Sequence, residues 1–294
     1  MSAGPLESHR DAADPGSVAA RQVVQVGDRQ ILALSDGVMV MPPDFMGTPE
    51  HPSAAHDALQ NQDGRVSLPI GCFVIPGETT VLVDAGYGPN DYLARGSLVG
   101  GGLLDALGAD GIRPTDIDVI ALSHLHLDHV GWVGDRDGVP VFPNAQILVG
   151  RADWDYFMVG SDAVLPLPDN VRAALLTLAQ AGRVTLLDGD TAVASGVTRL
   201  DAAGHTPGHS VFVVSDGGER ALLLGDALYC PEQLTETDWA VITDVDPALA
   251  RRTRKSLAED LRLNGGKAVG CHFPGLRVGR ILRSSPAISF DERA

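Results

Sequence analysis

Three imidazoles and a carboxylate stand within six residues, His124-Leu-His-Leu-Asp-His129, directly after the short apolar run at 118–123. That run is too short for a comfortable helix and is bounded by polar residues, so it is predicted to be a buried strand. Four ligand-type side chains crowded at a strand end are costly to bury without a partner. Metal coordination removes the difficulty, because imidazole nitrogen and carboxylate oxygen are natural zinc ligands. The chain must therefore fold so that a buried strand delivers this cluster to a site.

Three further elements fit such a site. Gly204-His-Thr-Pro-Gly-His-Ser210 places His205 in a turn shaped by Pro and Gly, Leu224-Gly-Asp226 ends an apolar run with a carboxylate, and Cys271-His-Phe-Pro-Gly275 does the same with an imidazole. Six of the nine histidines fall in these elements and the first motif, leaving His9, His51 and His56 as surface residues.

Around them the chain reads as alternating strands and helices. Strands are predicted at 30–40, within 69–83, and at 118–123, 146–149, 184–187, 197–200, 211–214, 221–224 and 268–271. The strand through Thr80-Val-Leu-Val-Asp84 stops in a Gly-rich turn. Helical patterns occupy 103–107 and 170–181, and a third helix is opened by Asp246-Pro247 and closed by Gly265 and Gly266. Residues 41–65 form a long polar, Pro-rich loop, and 1–20 a disordered tail. The remainder, 21–294, is predicted to be one layered α/β domain. His124, Asp226 and His272 each follow a strand-like run, so they can converge on one sheet edge.

The net charge of −16 opposes phosphate backbones and anionic lipid, which argues against nucleic-acid and membrane partners. The dense basic run, Arg251, Arg252, Arg254 and Lys255, is read as a solvated helix face. Three cysteines provide no disulfide framework, and neither a signal peptide nor a membrane-spanning stretch is evident. A cytoplasmic protein is expected.

The motifs and their order resemble the metallo-β-lactamase superfamily over about 26–275, including Asp84 in the strand-turn. The resemblance implies an αββα sandwich with a di-metal site at one edge of the two sheets. It further implies that His124, His126 and His205 ligate one metal, that Asp128, His129 and His272 ligate the other, and that Asp226 bridges them. Two Zn(2+) per chain are expected, with Mn, Fe or Co also acceptable to such ligands. Cations about 3.5–4 Å apart would share a bridging hydroxide. Asp128 would also shuttle a proton to the departing alkoxide. Asp84 and His209 are read as hydrogen-bonding partners that orient ligands or the loop, against the alternative of plain turn stabilisation.

Within the superfamily, Asp226 argues against class B β-lactamases. His126 argues against flavo-diiron proteins, and the 22 residues after His272 argue against glyoxalase II. The charge opposes the nuclease branches. Val141-Phe-Pro-Asn-Ala145, Asp153-Trp154 and His272-Phe-Pro-Gly275 resemble the branch of N-acyl-homoserine lactone lactonases and methyl-parathion-hydrolase-like enzymes. Tyr229, three residues after Asp226, matches the lactonases, where a phenol donates to the substrate carbonyl. The resemblance therefore implies a small-molecule lactone substrate and quorum quenching. The alternatives are an ester, carbamate or organophosphate triester hydrolase on the same centre, or a mononuclear iron dioxygenase of this fold. Trp132, Trp154 and Phe142 are expected in the core, and Phe273 beside the pocket. Family members are often homodimers.

Overall fold

Period-two alternation with apolar residues on both faces sets the architecture. In the long strand β2 (Arg29–Met41), Leu32 and Leu34 point one way while Ile31 and Ala33 point the other, and all four are buried. A strand buried on both sides needs a layer above and a layer below it.

The computed structural model describes residues 21–47, 59–61, 63–89, 97–160, 163, 165–281 and 290–291. The 1–20 tail, His9, His51, His56 and the middle of the 41–65 loop lie outside the described residues. The first sheet runs in sequential order from β1 (Arg21–Val26) through β2, β3 (Val66–Ile75), β4 (Val81–Val83), β5 (Val119–Ala121) and β6 (Gln146–Gly150) to β7 (Val184–Leu187). Ser97–Val99 is an additional strand on β2. Strands β1 to β4 pair antiparallel, and β4 to β7 pair parallel. The second sheet is likewise sequential: β8 (Thr191–Ala194), β9 (Val197–Asp201), β10 (Ser210–Asp216), β11 (Glu219–Leu223) and β12 (Lys267–Val269), with only β11–β12 parallel.

The two sheets bury a shared layer in which Ile31, Phe73, Val83 and Ala121 meet Phe212, Val214, Leu223 and Val269. Helices α1 (Leu103–Ala109) and α3 (Asp169–Gln180) cover the outer face of the first sheet through Leu103, Leu107, Val171 and Leu175. The short helix α2 (Leu127–Val130) lies within the His motif itself. Helix α4 (Pro247–Asn264) covers the second sheet through Leu257, Ala258 and Leu261. The result is the expected αββα sandwich. Among the described residues no helix is long and apolar enough to cross a membrane.

Helix α4 begins as its sequence predicts, with Asp246 Oδ1 accepting from Leu249 N at 2.9 Å and Pro247 in the first turn. It also corrects the reading of the basic run. Arg251, Arg252 and Lys255 are exposed, but Arg254 is fully buried. Arg254 lies on the stripe Ala250, Arg254, Leu257, Ala258 and Leu261, whose helical spacing faces the second sheet. Phe273 is corrected too: it packs with Leu257 and Ala268 between α4 and the second sheet rather than beside the pocket. Phe142 is buried in the outer core, as expected.

Asp36, unmarked by any sequence motif, organises the loops beneath the site. It occupies an irregularity of β2 between Ser35 and Gly37. Its Oδ2 accepts from Tyr87 N (2.8 Å) and Gly88 N (3.0 Å), and its Oδ1 from Leu103 N (2.8 Å), Gly101 N (3.2 Å) and Trp132 Nε1 (2.8 Å). Five donors on one buried carboxylate offset its desolvation. They join the turn after Asp84 to the start of α1 and to the segment that follows the His motif. Gly131 in that segment has no room for a side chain, since a Cβ there would sit 1.9 Å from the Tyr87 carbonyl oxygen.

Candidate metal centre

Parallel pairing places the ends of β4 and β5 side by side, because Val83 is in register with Ala121. Asp84 and the His124 motif therefore emerge together. In the second sheet Leu223 is in register with Val269, so Asp226 and His272 emerge together as well. Strand β10 runs the opposite way, and the turn carrying His205 and His209 precedes it at the same edge. The seven predicted ligands are all buried, and they meet where the two sheets open.

They form two groups with Asp226 between them. Ligand-type atoms of His124, His126, His205 and Asp226 lie within 4.8 Å of one another, as do those of Asp128, His129 and His272. Asp226 Oδ1 is 3.2 Å from both His129 Nε2 and His272 Nε2. Its Oδ2 faces the other group, 3.5 Å from His205 Nε2 and 3.8 Å from His124 Nε2. Asp128 Oδ2 is 3.4 Å from His272 Nε2 and 3.6 Å from His129 Nε2.

The outward-facing nitrogens decide which atoms are free to ligate. His129 Nδ1 contacts Asp84 Oδ2 (2.9 Å), His205 Nδ1 contacts Asp244 Oδ1 (3.0 Å) and His272 Nδ1 contacts the Pro69 carbonyl (2.7 Å). These partners are pure acceptors, so each Nδ1 carries a proton and Nε2 is the nitrogen that could ligate a metal. Ser123 Oγ donates to Asp84 Oδ2 at 2.8 Å, which leaves it to accept from His124 Nδ1 at 3.0 Å. His126 presents Nδ1 instead, 3.0 Å from His124 Nε2 and 2.9 Å from His205 Nε2.

Ring nitrogens and carboxylate oxygens converging in this way suit a cation placed among them. His129 Nε2, His272 Nε2 and Asp226 Oδ1 are moreover buried without a well-formed hydrogen bond. The donor set and its orphaned atoms thus fit a pair of divalent cations.

The electrostatics agree. Burial holds His124 and His126 well below the usual imidazole range, keeping them neutral donors. Burial also opposes protonation of His129, but Asp226, Asp128 and Asp84 outweigh it and raise that imidazole. The carboxylates that would hold a proton there would equally hold a metal ion. Asp84, His129 and Cys271 also lie close together. Burial raises the Cys271 thiol well above its ordinary range, so it donates to Asp84 Oδ2 (3.3 Å) as S–H rather than ligating as thiolate.

Tyr229 stacks on His272 with ring centroids 4.7 Å apart and contacts Phe45 edge-on at 5.6 Å. Burial keeps its phenol protonated, and its hydroxyl donates to Asp226 Oδ2 at 2.5 Å. Thr243 Oγ1 lies 3.4 Å from the same hydroxyl. His209 accepts from the Asp226 backbone N–H at 3.0 Å through Nε2. Gly225 makes that approach possible, because it adopts φ 52° and a Cβ would fall 2.7 Å from His209 Nε2.

Several residues that support the site are given no role there by the sequence. Asp244 contacts His205 and Ser123 contacts His124. Asp153 accepts from Leu125 N (3.1 Å), Thr206 Oγ1 (2.9 Å) and Gly208 N (2.6 Å), tying the two His-bearing loops together. Burial pushes Asp153 up to about 6 despite these donors.

Residues 68–272 match the family model described as the metallo-beta-lactamase superfamily. The N-acyl homoserine lactonase AiiA of Bacillus thuringiensis subsp. kurstaki is 29% identical over 210 residues, covering 66% of this chain and 77% of that protein. The structure of AidC, a dizinc quorum-quenching lactonase, superposes with a TM-score of 0.76 at 22% identity, over 94% of this chain and 98% of the other. The hydrolase AbOPH, of the beta lactamase superfamily, superposes with a TM-score of 0.79 at 28% identity, over 93% and 97%.

Proposed function

The chain belongs to the metallo-beta-lactamase superfamily, and from that premise we propose that it is a di-zinc hydrolase that opens lactones, N-acyl-homoserine lactones foremost. The observation that carries the reading is the carboxylate of Asp226, with one oxygen toward each group of imidazoles and Tyr229 beside it. The names of AiiA and AidC support the substrate class. One hydrolase domain over 21–294 is part of the same reading, supported by the apolar layer that both sheets share.

In this reading His124, His126 and His205 hold one cation, Asp128, His129 and His272 the other, and Asp226 both. When bound, the two cations polarise the carbonyl and lower the pKa of water towards neutrality. The chain's own groups do the rest. Tyr229, a protonated phenol whose hydroxyl rests on Asp226 Oδ2, would turn that proton to the carbonyl oxygen as charge develops there. Asp128, partly open at 11% side-chain exposure, is placed to carry a proton to the departing ring alkoxide. Asp84, Pro69 and Asp244 keep the imidazole protons on the outer nitrogens.

Metal content measured together with turnover on lactones, aryl esters and phosphotriesters tests the proposal. Two zinc ions per chain and the highest kcat/KM on a lactone are expected. One iron and no zinc would overturn the di-zinc reading, and a preference for phosphotriesters would move the substrate class. Tyr229→Phe is expected to lower lactone kcat/KM by roughly tenfold or more. An unchanged value would remove the phenol from the reaction.

A further inference from the structure

We infer that Asp244 and Arg254 form a buried charged relay that fixes His205 and thereby tunes the cation affinity of the His124–His126–His205 group. The inference rests on reading those three imidazoles as ligands.

His205 lies between two environments. Its Nε2 faces His126 Nδ1 at 2.9 Å, while its Nδ1 faces Asp244 Oδ1 at 3.0 Å. The other oxygen of Asp244 is 3.3 Å from Arg254 Nη1 and accepts from Val241 N at 3.3 Å. Both side chains are closed to solvent, with 0% exposure for Asp244 and 1% for Arg254. Arg254 Nε donates to the Thr237 carbonyl at 3.3 Å. Its Nη2 is buried with no hydrogen-bond partner among the described residues.

A buried ion pair with an unsatisfied donor is a poor source of stability, and apolar residues of the same volume would serve the core as well or better. Helix α4 offers such a place, since Arg254 interrupts the apolar stripe of Ala250, Leu257 and Leu261. What the pair supplies instead is a directed negative charge behind a ligand. Among the described residues, His205 alone of the three imidazoles has a carboxylate directly at its outer nitrogen; His124 has the Ser123 hydroxyl. A carboxylate there pins the ring and strengthens the opposite nitrogen as a donor.

The start of α4 reinforces the same turn. Val245 N donates to the His205 carbonyl at 2.9 Å, Asp246 N to the Gly204 carbonyl at 3.0 Å, and Thr253 Oγ1 to the Ala203 carbonyl at 2.6 Å. One helix therefore carries the arginine that braces Asp244 and also clamps the backbone of the ligand that Asp244 orients.

The test is a competitive-chelator titration of zinc on the whole chain, with the visible spectrum of the cobalt-substituted protein as a second readout. Asp244→Asn is expected to weaken one of the two zinc-binding events by roughly ten- to a hundredfold and to alter the cobalt bands. The other event should be unchanged. Arg254→Met should shift the same event in the same direction, and Arg254→Lys should restore part of it. His205→Ala serves as the reference and should lose one metal. Loss of one metal there, with wild-type affinities and spectrum in Asp244→Asn, would overturn the relay while leaving the ligands intact. Retention of both metals in His205→Ala would overturn the ligand reading itself. If Asp244→Asn does not fold, the double variant with Arg254→Met removes both buried charges and carries the same comparison.

Discussion

Asp226→Ala should leave the protein with at least one metal fewer per chain and lower kcat/KM by roughly a thousandfold or more. Among the described residues the Asp226 carboxylate alone has an oxygen on each group of imidazoles, Oδ1 facing His129 and His272 and Oδ2 facing His124 and His205. Without the carboxylate, two divalent cations would sit close together with less negative charge between them. The Tyr229 hydroxyl would also lose the carboxylate that accepts from it. Elemental analysis of the purified variant, paired with lactone kinetics, checks the outcome. Two bound metals with near-native turnover would show that Asp226 is not shared between them.

Asp84→Ala should produce the largest loss of stability, about 3–5 kcal/mol. The carboxylate accepts from Ser123 N at 2.7 Å, Ser123 Oγ at 2.8 Å and His129 Nδ1 at 2.9 Å, and takes the Cys271 thiol as well. All of these groups are buried, so its removal strands several donors at once. Asp84 also holds φ 61°, a left-handed conformation that Asn tolerates far better than Ala. Asp84→Asn should therefore retain the turn yet weaken metal binding, because an amide offers only one accepting oxygen. Thermal unfolding should show Ala below Asn below wild type, with a drop of roughly 10 °C for Ala. A drop of less than about 2 °C would reduce Asp84 to a turn residue.

The candidate ligands that the structure brings together were legible because chemistry concentrates them. The His124 motif occupies six residues, and the remaining ligands each close an apolar run or sit in a Gly/Pro turn. The layered α/β domain followed from the alternation of strand-like runs and helices, and the two-sheet sandwich from the resemblance of the motifs to the metallo-β-lactamase superfamily. Residues that act across the fold were not legible. Asp36 reaches Trp132 over 96 positions and Asp244 reaches His205 over 39, and neither stands in a pattern that marks it. Arg254 is different. It falls on the 250, 254, 257, 258, 261 stripe at helical spacing, but a run of four neighbouring cations carries the pattern of a solvated face. Phe273 adjoins His272 in the chain, but adjacency in sequence does not make it line the pocket. The turn after His272 instead points the ring into the layer beneath α4.

The candidate ligands come from both halves of the sandwich. His124, His126, Asp128 and His129 follow β5 of the first sheet, whereas His205, Asp226 and His272 border strands of the second. Cations held between them would act as cross-links that exist only in the native state. The free energy of unfolding would then contain a mass-action contribution, growing by about 1.4 kcal/mol per site for every tenfold rise in free metal above its Kd. The denaturation midpoint of this protein would accordingly belong to the chain together with its metal buffer, and chelation would remove the cross-links at that edge while leaving the apolar layer between the sheets.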